Sequence, residues 1–239
     1  MSAWRTALVA VLLGVLIGAG TVAGRAASLS LSSQSLTPYR TCTLTATPAA
    51  ATVAIDTTAR QGNPTNNFGT VNSLTVSAAA TANRRIYLRF DLTRCTPMIP
   101  ASATIRQATL RLFMTGRPAG CRTVDIFPVM ATWTETGLTW NNQPFGTALN
   151  NPPTASRTGS FDVGTPAACQ NRTNNSYVVG GTVTADVAAF VAGGATNFGW
   201  MLRDDLEGAA PTRTTTFSAK EQGSAARGPQ LVITYVVVP

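Results

Sequence analysis

The chain has 239 residues, of which 44% are hydrophobic and only 12% are charged, and it contains no histidine. The missing imidazole excludes Ser-His-Asp and Cys-His catalysis and most catalytic zinc sites. The charged fraction is far below the roughly 25% of an average soluble domain. Where other domains have charged residues, this chain has Thr, Asn, Ala, Gly and Ser, a composition typical of a single extracellular all-β domain.

The net charge of +8 comes almost wholly from arginine, since Lys220 is the one lysine. The guanidinium group binds carboxylates and sulfates through paired N–H donors, so the composition favours an acidic ligand. A genome biased towards arginine codons is the simpler explanation. The arginines are scattered rather than gathered in a basic run, so we expect no nucleic-acid partner.

The first segment, residues 1–27, reads as a secretory signal. Arg5 provides a positive start, residues 7–19 are almost wholly apolar, and the small residues Gly24 and Ala26 fit a cleavage site. We therefore expect a secreted protein, extracellular or at the cell surface, that is free of the membrane after cleavage. An uncleaved membrane anchor is the alternative, because the apolar run approaches spanning length.

Two further segments follow the signal. Residues 28–50 form a β-prone extension rich in Ser, Thr, Leu and Ala, and residues 51–239 form the domain. Residues 84–92 alternate strictly, which predicts a strand with Ile86, Leu88 and Phe90 buried on one face. Similar patterns predict strands within residues 109–114, 124–130, 198–202, 214–219 and 230–238. Residues 185–192 predict one or two helical turns ended by Gly193 and Gly194, and Pro128 predicts a sheet edge or a bulge.

Many short strands, long Gly/Pro/Asn-rich loops and at most one short helix predict a single-domain jelly-roll β-sandwich. The four cysteines lie far apart and indicate disulfides rather than a metal site. Three pairings are possible. We favour Cys121 with Cys169, since both lie in long loops, which leaves Cys42 with Cys95.

The run W-T-E-T-G-L-T-W-N-N-Q-P, residues 133–144, is named here the tryptophan loop. We interpret Trp133 and Trp140 as buried anchors, because Trp buries a large apolar area while Asn and Pro break strand pairing. Glu135 is expected to accept backbone donors within this ordered loop. Glu221 is expected to pair with a strand arginine such as Arg89 or Arg111.

Outward positions on the predicted strands supply the candidate ligand-binding residues. Tyr87, Arg89 and Arg111 are expected on one solvent-facing sheet face, where a ring stacks on sugars and arginines bind uronate carboxylates. Arg84, Arg85 and Arg203 are expected near strand ends. The simpler interpretation is that outward arginines only solvate a sheet.

Cofactors are not expected. Asp204, Asp205 and Glu207 lie in one loop and suit a structural calcium ion, although a solvated acidic turn is the simpler interpretation. Paired carboxylates are the remaining route to catalysis, as in glycoside cleavage. Because the acidic residues fit structural roles, we do not expect an enzyme.

Nine segments in order carry a resemblance to a known family. They are N-P-T-N-N-F-G (63–69), Y-L-R-F-D-L (87–92), I-P-A-S-A-T-I (99–105), A-T-L-R-L (108–112), the tryptophan loop, T-A-D-V-A-A-F-V (184–191), N-F-G-W-M-L-R (197–203), F-S-A-K-E (217–221) and P-Q-L-V-I-T-Y (229–235). The chain resembles the DNRLRE domain, which is similar to family 96 carbohydrate-binding modules. The resemblance implies a secreted β-jelly-roll, often an accessory to polysaccharide-degrading domains and linked to acidic polysaccharide such as alginate. This chain departs from the pattern in its cysteine-bearing inserts, and we expect no catalytic domain among these 239 residues.

The sequence therefore leads to two candidate functions. The first is non-catalytic binding of extracellular or cell-wall polysaccharide, with an acidic glycan expected. The alternative is a structural surface or matrix subunit that self-assembles when residues 28–50 add a strand to a neighbour's open sheet edge.

Overall fold

A computed structural model describes residues 38–50 and 52–237. The predicted signal and residues 28–37 of the extension lie outside the described residues. The strands are β1 (Arg40–Thr45), β2 (Ala54–Arg60), β3 (Ser73–Ala78), β4 (Arg84–Phe90), β5 (Thr104–Arg111), β6 (Phe113–Gly116), β7 (Arg122–Pro128), β8 (Gly159–Val163), β9 (Ser176–Tyr177), β10 (Trp200–Asp204), β11 (Arg213–Ser218) and β12 (Gln230–Val236), and the helix is α1 (Thr184–Val191). The predicted all-β sandwich with one short helix is confirmed.

The strands form two antiparallel sheets. The smaller sheet has the order β1-β12-β5, and the larger has the order β8-β7-β10-β4-β3-β11-β6-β9 with β2 paired to β4. Within the larger sheet, β3 and β4 share the single pair Ser77–Arg84. The free side of β5 is covered by the segment after β9, where the Leu110 amide donates to the Gly181 carbonyl at 3.0 Å.

The main core lies between the two sheets and is formed by the alternate side chains that point inward from the strands. On β4, Ile86, Leu88 and Phe90 are buried there as predicted. Leu110 on β5 and Ile233 on β12 face them from the smaller sheet. The period of two therefore assigned the core side of these strands correctly.

A second, smaller core covers the other face of the large sheet. Tyr87 on β4, Phe127 on β7 and Met201 on β10 pack there against the tryptophan loop, which contributes Trp133 and Trp140. The Tyr87 and Trp133 rings meet edge to face with their centroids 5.8 Å apart. This side of the sheet is therefore an interior surface, not the solvent-facing one that the sequence predicted.

Several local predictions can be compared with the described residues. The helix and its end are as predicted, with Gly193 in the left-handed region at φ +74°. Both predicted disulfides form, Cys42–Cys95 and Cys121–Cys169. Strand β7 is an inner strand that pairs with both β8 and β10, but β8 pairs only as far as Ile126, so Pro128 at the end of β7 has a partner, Trp200, on one side only, as the predicted edge position requires.

The extension is partly built into the domain. Residues 40–45 form β1, which pairs along its whole length with β12, from Arg40–Tyr235 to Thr45–Gln230. Because β12 lies between β1 and β5, its backbone is not an open edge. In the described ranges, no helix has both the length and the apolar character needed to cross a bilayer.

Candidate functional site

Two of the predicted ligand-binding residues are buried. Tyr87 has 0% of its surface exposed, and its hydroxyl donates to Gln143 Oε1 at 3.0 Å beneath the tryptophan loop. Burial raises the pKa of that hydroxyl. Arg203 is also fully buried, and its Nη2 donates to the Pro152 carbonyl at 2.8 Å. The prediction that these two residues contact a glycan is wrong, because residues 133–158 cover the sheet face that carries them.

Arg85, placed near a strand end by the sequence, is the centre of a buried ion pair. Its Nε and Nη2 donate to the two carboxylate oxygens of Glu207, each at 2.7 Å. The remaining donors go to Gln143, Gly146 and Ala148, all from the segment that covers the sheet. Arg85 therefore fastens the covering segment to β4 and has no free donor to offer a ligand.

The acidic loop after β10 is paired by arginines. Asp204 and Asp205 contact Arg122, while Glu207 binds Arg85. Asp204 and Glu207 are buried, so the interpretation of this loop as a solvated acidic turn is wrong. Its three carboxylates serve two arginines and do not converge on one point for a cation.

Arg111 lies on the other sheet from Arg89, so the predicted common face for these residues is also wrong. On the outer side of β5, the Arg111 guanidinium lies 4.6 Å from the centroid of the Tyr177 ring. Tyr177 meets Phe113 edge to face at 5.4 Å, and the Arg227 guanidinium lies 5.4 Å from the Phe113 centroid. We name these four residues, Arg111, Phe113, Tyr177 and Arg227, the Arg111 cluster.

A shallow groove of about 200 Å³ runs beside the Arg111 cluster across β5 and β12. Its walls are Gln107, Thr109, Arg111, Val232 and Thr234. The strand register extends this polar surface to β1, where Thr43 lies beside Val232 and Thr41 lies beside Thr234. The outer face of the smaller sheet thus offers hydroxyls, amides and guanidinium groups together.

In the described ranges, the strands that form this face carry no acidic side chain. The ten acidic residues of the chain all lie outside β1, β5, β6, β9 and β12. Among the described residues, no carboxylate comes within 4.0 Å of a nitrogen of Arg111 or Arg227. The surface therefore has an uncompensated positive charge, the electrostatic condition for attracting an anion.

Arg84 belongs to a second group of arginines. It lies directly opposite Arg60 on β2, and Arg213 begins the nearby strand β11. Arg60 also lies over the Phe68 ring at 3.8 Å. Burial, and then the charge of Arg84, lower the pKa of Arg60. In the described part of the chain these three arginines have no acidic partner within 4.0 Å.

The predicted partners of Glu135 and Glu221 both need correction: Glu135 accepts a backbone donor as predicted, but that donor lies on β2 and not within the tryptophan loop. Glu135 Oε1 accepts the Asp56 amide at 2.9 Å and also contacts Lys220 Nζ at 2.6 Å. Glu221 pairs with Lys220 rather than with Arg89 or Arg111, which lie on other elements. Burial, and then the nearby Glu221, raise the pKa of Asp56 to about 8.

Two Asn-Phe-Gly segments, 67–69 and 197–199, share a local structure that was not predicted from the sequence. In each, the asparagine Oδ1 accepts the glycine amide at 3.0 Å, for Asn67–Gly69 and for Asn197–Gly199. Asn67 Nδ2 also donates to the carbonyls of Glu135 and Leu138 in the tryptophan loop. The repeated Asn-Phe-Gly tripeptide is the feature of the sequence from which this shared turn could be predicted.

The sequence of this domain matches one known protein family. A sequence profile of carbohydrate-binding module family 96 matches residues 47–235, nearly all of the described chain. The chain belongs to carbohydrate-binding module family 96. No curated protein matches it. Membership indicates carbohydrate binding and points to a non-catalytic role, and together with the two disulfides it points to an extracellular protein.

One further arginine surface of this family 96 module lies at the end of β4. Arg89 is half-buried and borders a groove of about 460 Å³ that also involves Asp91, Phe190 and Asn197. Its guanidinium lies 6.0 Å from the Trp133 ring centroid. Asn197 is committed to the Phe90 carbonyl and the Gly199 amide. This groove contains a carboxylate, Asp91, which also pairs with Arg94, so its charge is partly compensated, unlike that of the Arg111 cluster.

Proposed function

We propose that this family 96 module is secreted and binds an acidic polysaccharide, without cleaving it, on the outer face of the β1-β12-β5 sheet. The observation that carries the proposal is the Arg111 cluster on a face that has no carboxylate. A uronate or sulfate group accepts paired N–H donors from a guanidinium. The hydroxyls and amides of the neighbouring groove are suited to the sugar hydroxyls.

The contacts within the cluster support a prepared anion site. Stacking on Tyr177 and Phe113 restrains the guanidinium groups of Arg111 and Arg227, which lowers the entropy lost when a glycan binds. Tyr177 is itself fixed, since its hydroxyl donates to the Gly228 carbonyl at 2.8 Å. Arg111 Nη1 donates to Gln230 Oε1 at 3.0 Å, which positions the guanidinium beside the groove.

Affinity electrophoresis through gels containing alginate, a sulfated polysaccharide or a neutral β-glucan tests the proposal. We expect retardation by one of the two acidic polymers and none by the neutral one, with binding that weakens as salt is raised. Because a charge-assisted hydrogen bond contributes about 1.5–3 kcal/mol, Arg111→Gln should raise Kd about tenfold or more. Arg227→Gln should act in the same direction.

Arg94→Gln is the matched control, because it removes the same charge from an exposed pair with Asp91. The expected result is unchanged retardation. Equal weakening by Arg94→Gln and Arg111→Gln would show that net charge, not the Arg111 cluster, carries the binding. Retardation only by the neutral glucan would refute the acidic ligand.

A further inference from the structure

Three carboxylates from distant parts of the chain meet beside the tryptophan loop. Asp56 on β2, Glu135 in the loop and Glu221 in the turn Lys220–Gln222 each place an oxygen within 4.8 Å of the others. Lys220 is the cationic side chain that contacts them, through Glu135 and Glu221. When all three carboxylates are ionised, one ammonium leaves two negative charges without compensation; without a cation, burial holds a proton on Asp56, whose pKa is raised to about 8.

Unsatisfied atoms concentrate at the same place. Asp56 is only 1% exposed; its Oδ2 accepts the Lys220 amide at 2.9 Å, while its Oδ1 has no hydrogen-bond partner. Glu221 Oε2 is likewise buried without a partner. Buried polar atoms are normally satisfied, so these two unpartnered oxygens point to a missing ligand.

We propose that a hard divalent cation, Ca²⁺, binds between Asp56, Glu135 and Glu221. Calcium takes six to eight oxygen ligands at about 2.3–2.6 Å, so two oxygens on one ion lie up to about 5 Å apart. The observed spacing falls within that limit. When Asp56 releases its proton, the two charges of the ion cancel the two that Lys220 leaves, and the unpartnered oxygens of Asp56 and Glu221 become ligands.

The ion has a structural consequence that follows from the segments it joins. Asp56 lies on β2, Glu135 lies in the tryptophan loop, and Glu221 follows β11. A cation bound by all three fixes the start of the tryptophan loop to the sheet, whereas Arg85 fixes the segment at the end of the loop through Gln143, Gly146 and Ala148. Calcium therefore stabilises the folded module, and it does so apart from any glycan, so this inference stands or falls independently of the proposed ligand.

The test is calcium binding by the whole protein after treatment with EDTA. We expect one Ca²⁺ per chain by isothermal titration, and at about a hundredfold excess over Kd a rise in Tm of about 5–10 °C. Tb³⁺ replacing calcium should luminesce when the protein is excited at tryptophan, because Trp133 is two residues from Glu135. Mg²⁺ serves as the comparison ion.

Glu221→Gln should abolish both the Tm rise and the Tb³⁺ signal, and Asp56→Asn should do the same. Asp205→Asn is the matched control, since it removes a carboxylate from the acidic loop paired with Arg122, and it should bind calcium normally. If the EDTA-treated native protein shows neither one-site binding nor a Tm rise, the proposal is overturned, however the variants fold. Loss of binding in Asp205→Asn alone would place the ion in the 204–207 loop and overturn it equally.

Discussion

Replacing Glu207 by Gln removes the negative charge from the buried pair with Arg85. Both side chains are 0% exposed, and Arg85 contacts both carboxylate oxygens at 2.7 Å. Glu207 Oε2 also accepts the Asn150 amide at 2.7 Å. The substitution leaves a guanidinium buried without a counterion and turns an acceptor into a donor that faces other donors. The expected loss is about 3–5 kcal/mol, against a total of about 5–15 kcal/mol.

Urea denaturation followed by tryptophan fluorescence and far-UV circular dichroism measures this loss as a fall in the midpoint at constant m-value. The double variant Arg85→Met with Glu207→Leu should recover most of the stability, because it removes both charges together. Arg94→Gln, from an exposed pair, should leave the midpoint unchanged. If Glu207→Gln lowers the free energy of unfolding by less than about 1 kcal/mol, the Arg85–Glu207 pair is not shielded from solvent and water reaches Arg85.

Two further substitutions test other contacts. Asn67→Ala should lower stability by about 1–3 kcal/mol, because it leaves two carbonyl oxygens of the tryptophan loop without donors, while the exposed neighbour Asn66→Ala should have little effect in the same urea titration. Arg84→Gln should raise stability by about 0.2–1 kcal/mol by removing a like charge opposite Arg60. Thermal melts would show this as a higher Tm; a fall in Tm, or an equal rise in the exposed-loop variant Arg172→Gln, would contradict it.

The regular part of the fold could be predicted because it depends on local patterns. The alternation of residues 84–92 placed Ile86, Leu88 and Phe90 in the core, and the Gly193–Gly194 pair ended the helix correctly. Alternation divides a strand into two faces, but it does not say whether a distant segment covers the second face. That is why Tyr87 was expected to be exposed although it lies beneath the tryptophan loop.

The arginines were the hardest residues to assign from sequence. Arg85 and Arg111 both lie on strands next to apolar residues, and nothing local distinguishes them. The difference is made by Glu207, which lies 122 positions away from Arg85 and pairs with it, while Arg111 has no such partner in the described structure. A long-range pairing of this kind has no signature in the spacing of either residue.

One signal for the proposed binding surface was nevertheless present in the sequence. No acidic residue occurs between Asp91 and Asp125, a stretch that contains all of β5 and β6, and none follows Glu221, where β12 lies. Strands without carboxylates that pair with one another supply no counterion of their own to the arginines on their face. Unlike an exposed aromatic, which has many structural explanations, a positive face of this kind requires an anion or the solvent to balance it. The proposed binding surface therefore follows from the distribution of carboxylates and not from the positions of the tryptophans, which close the second core.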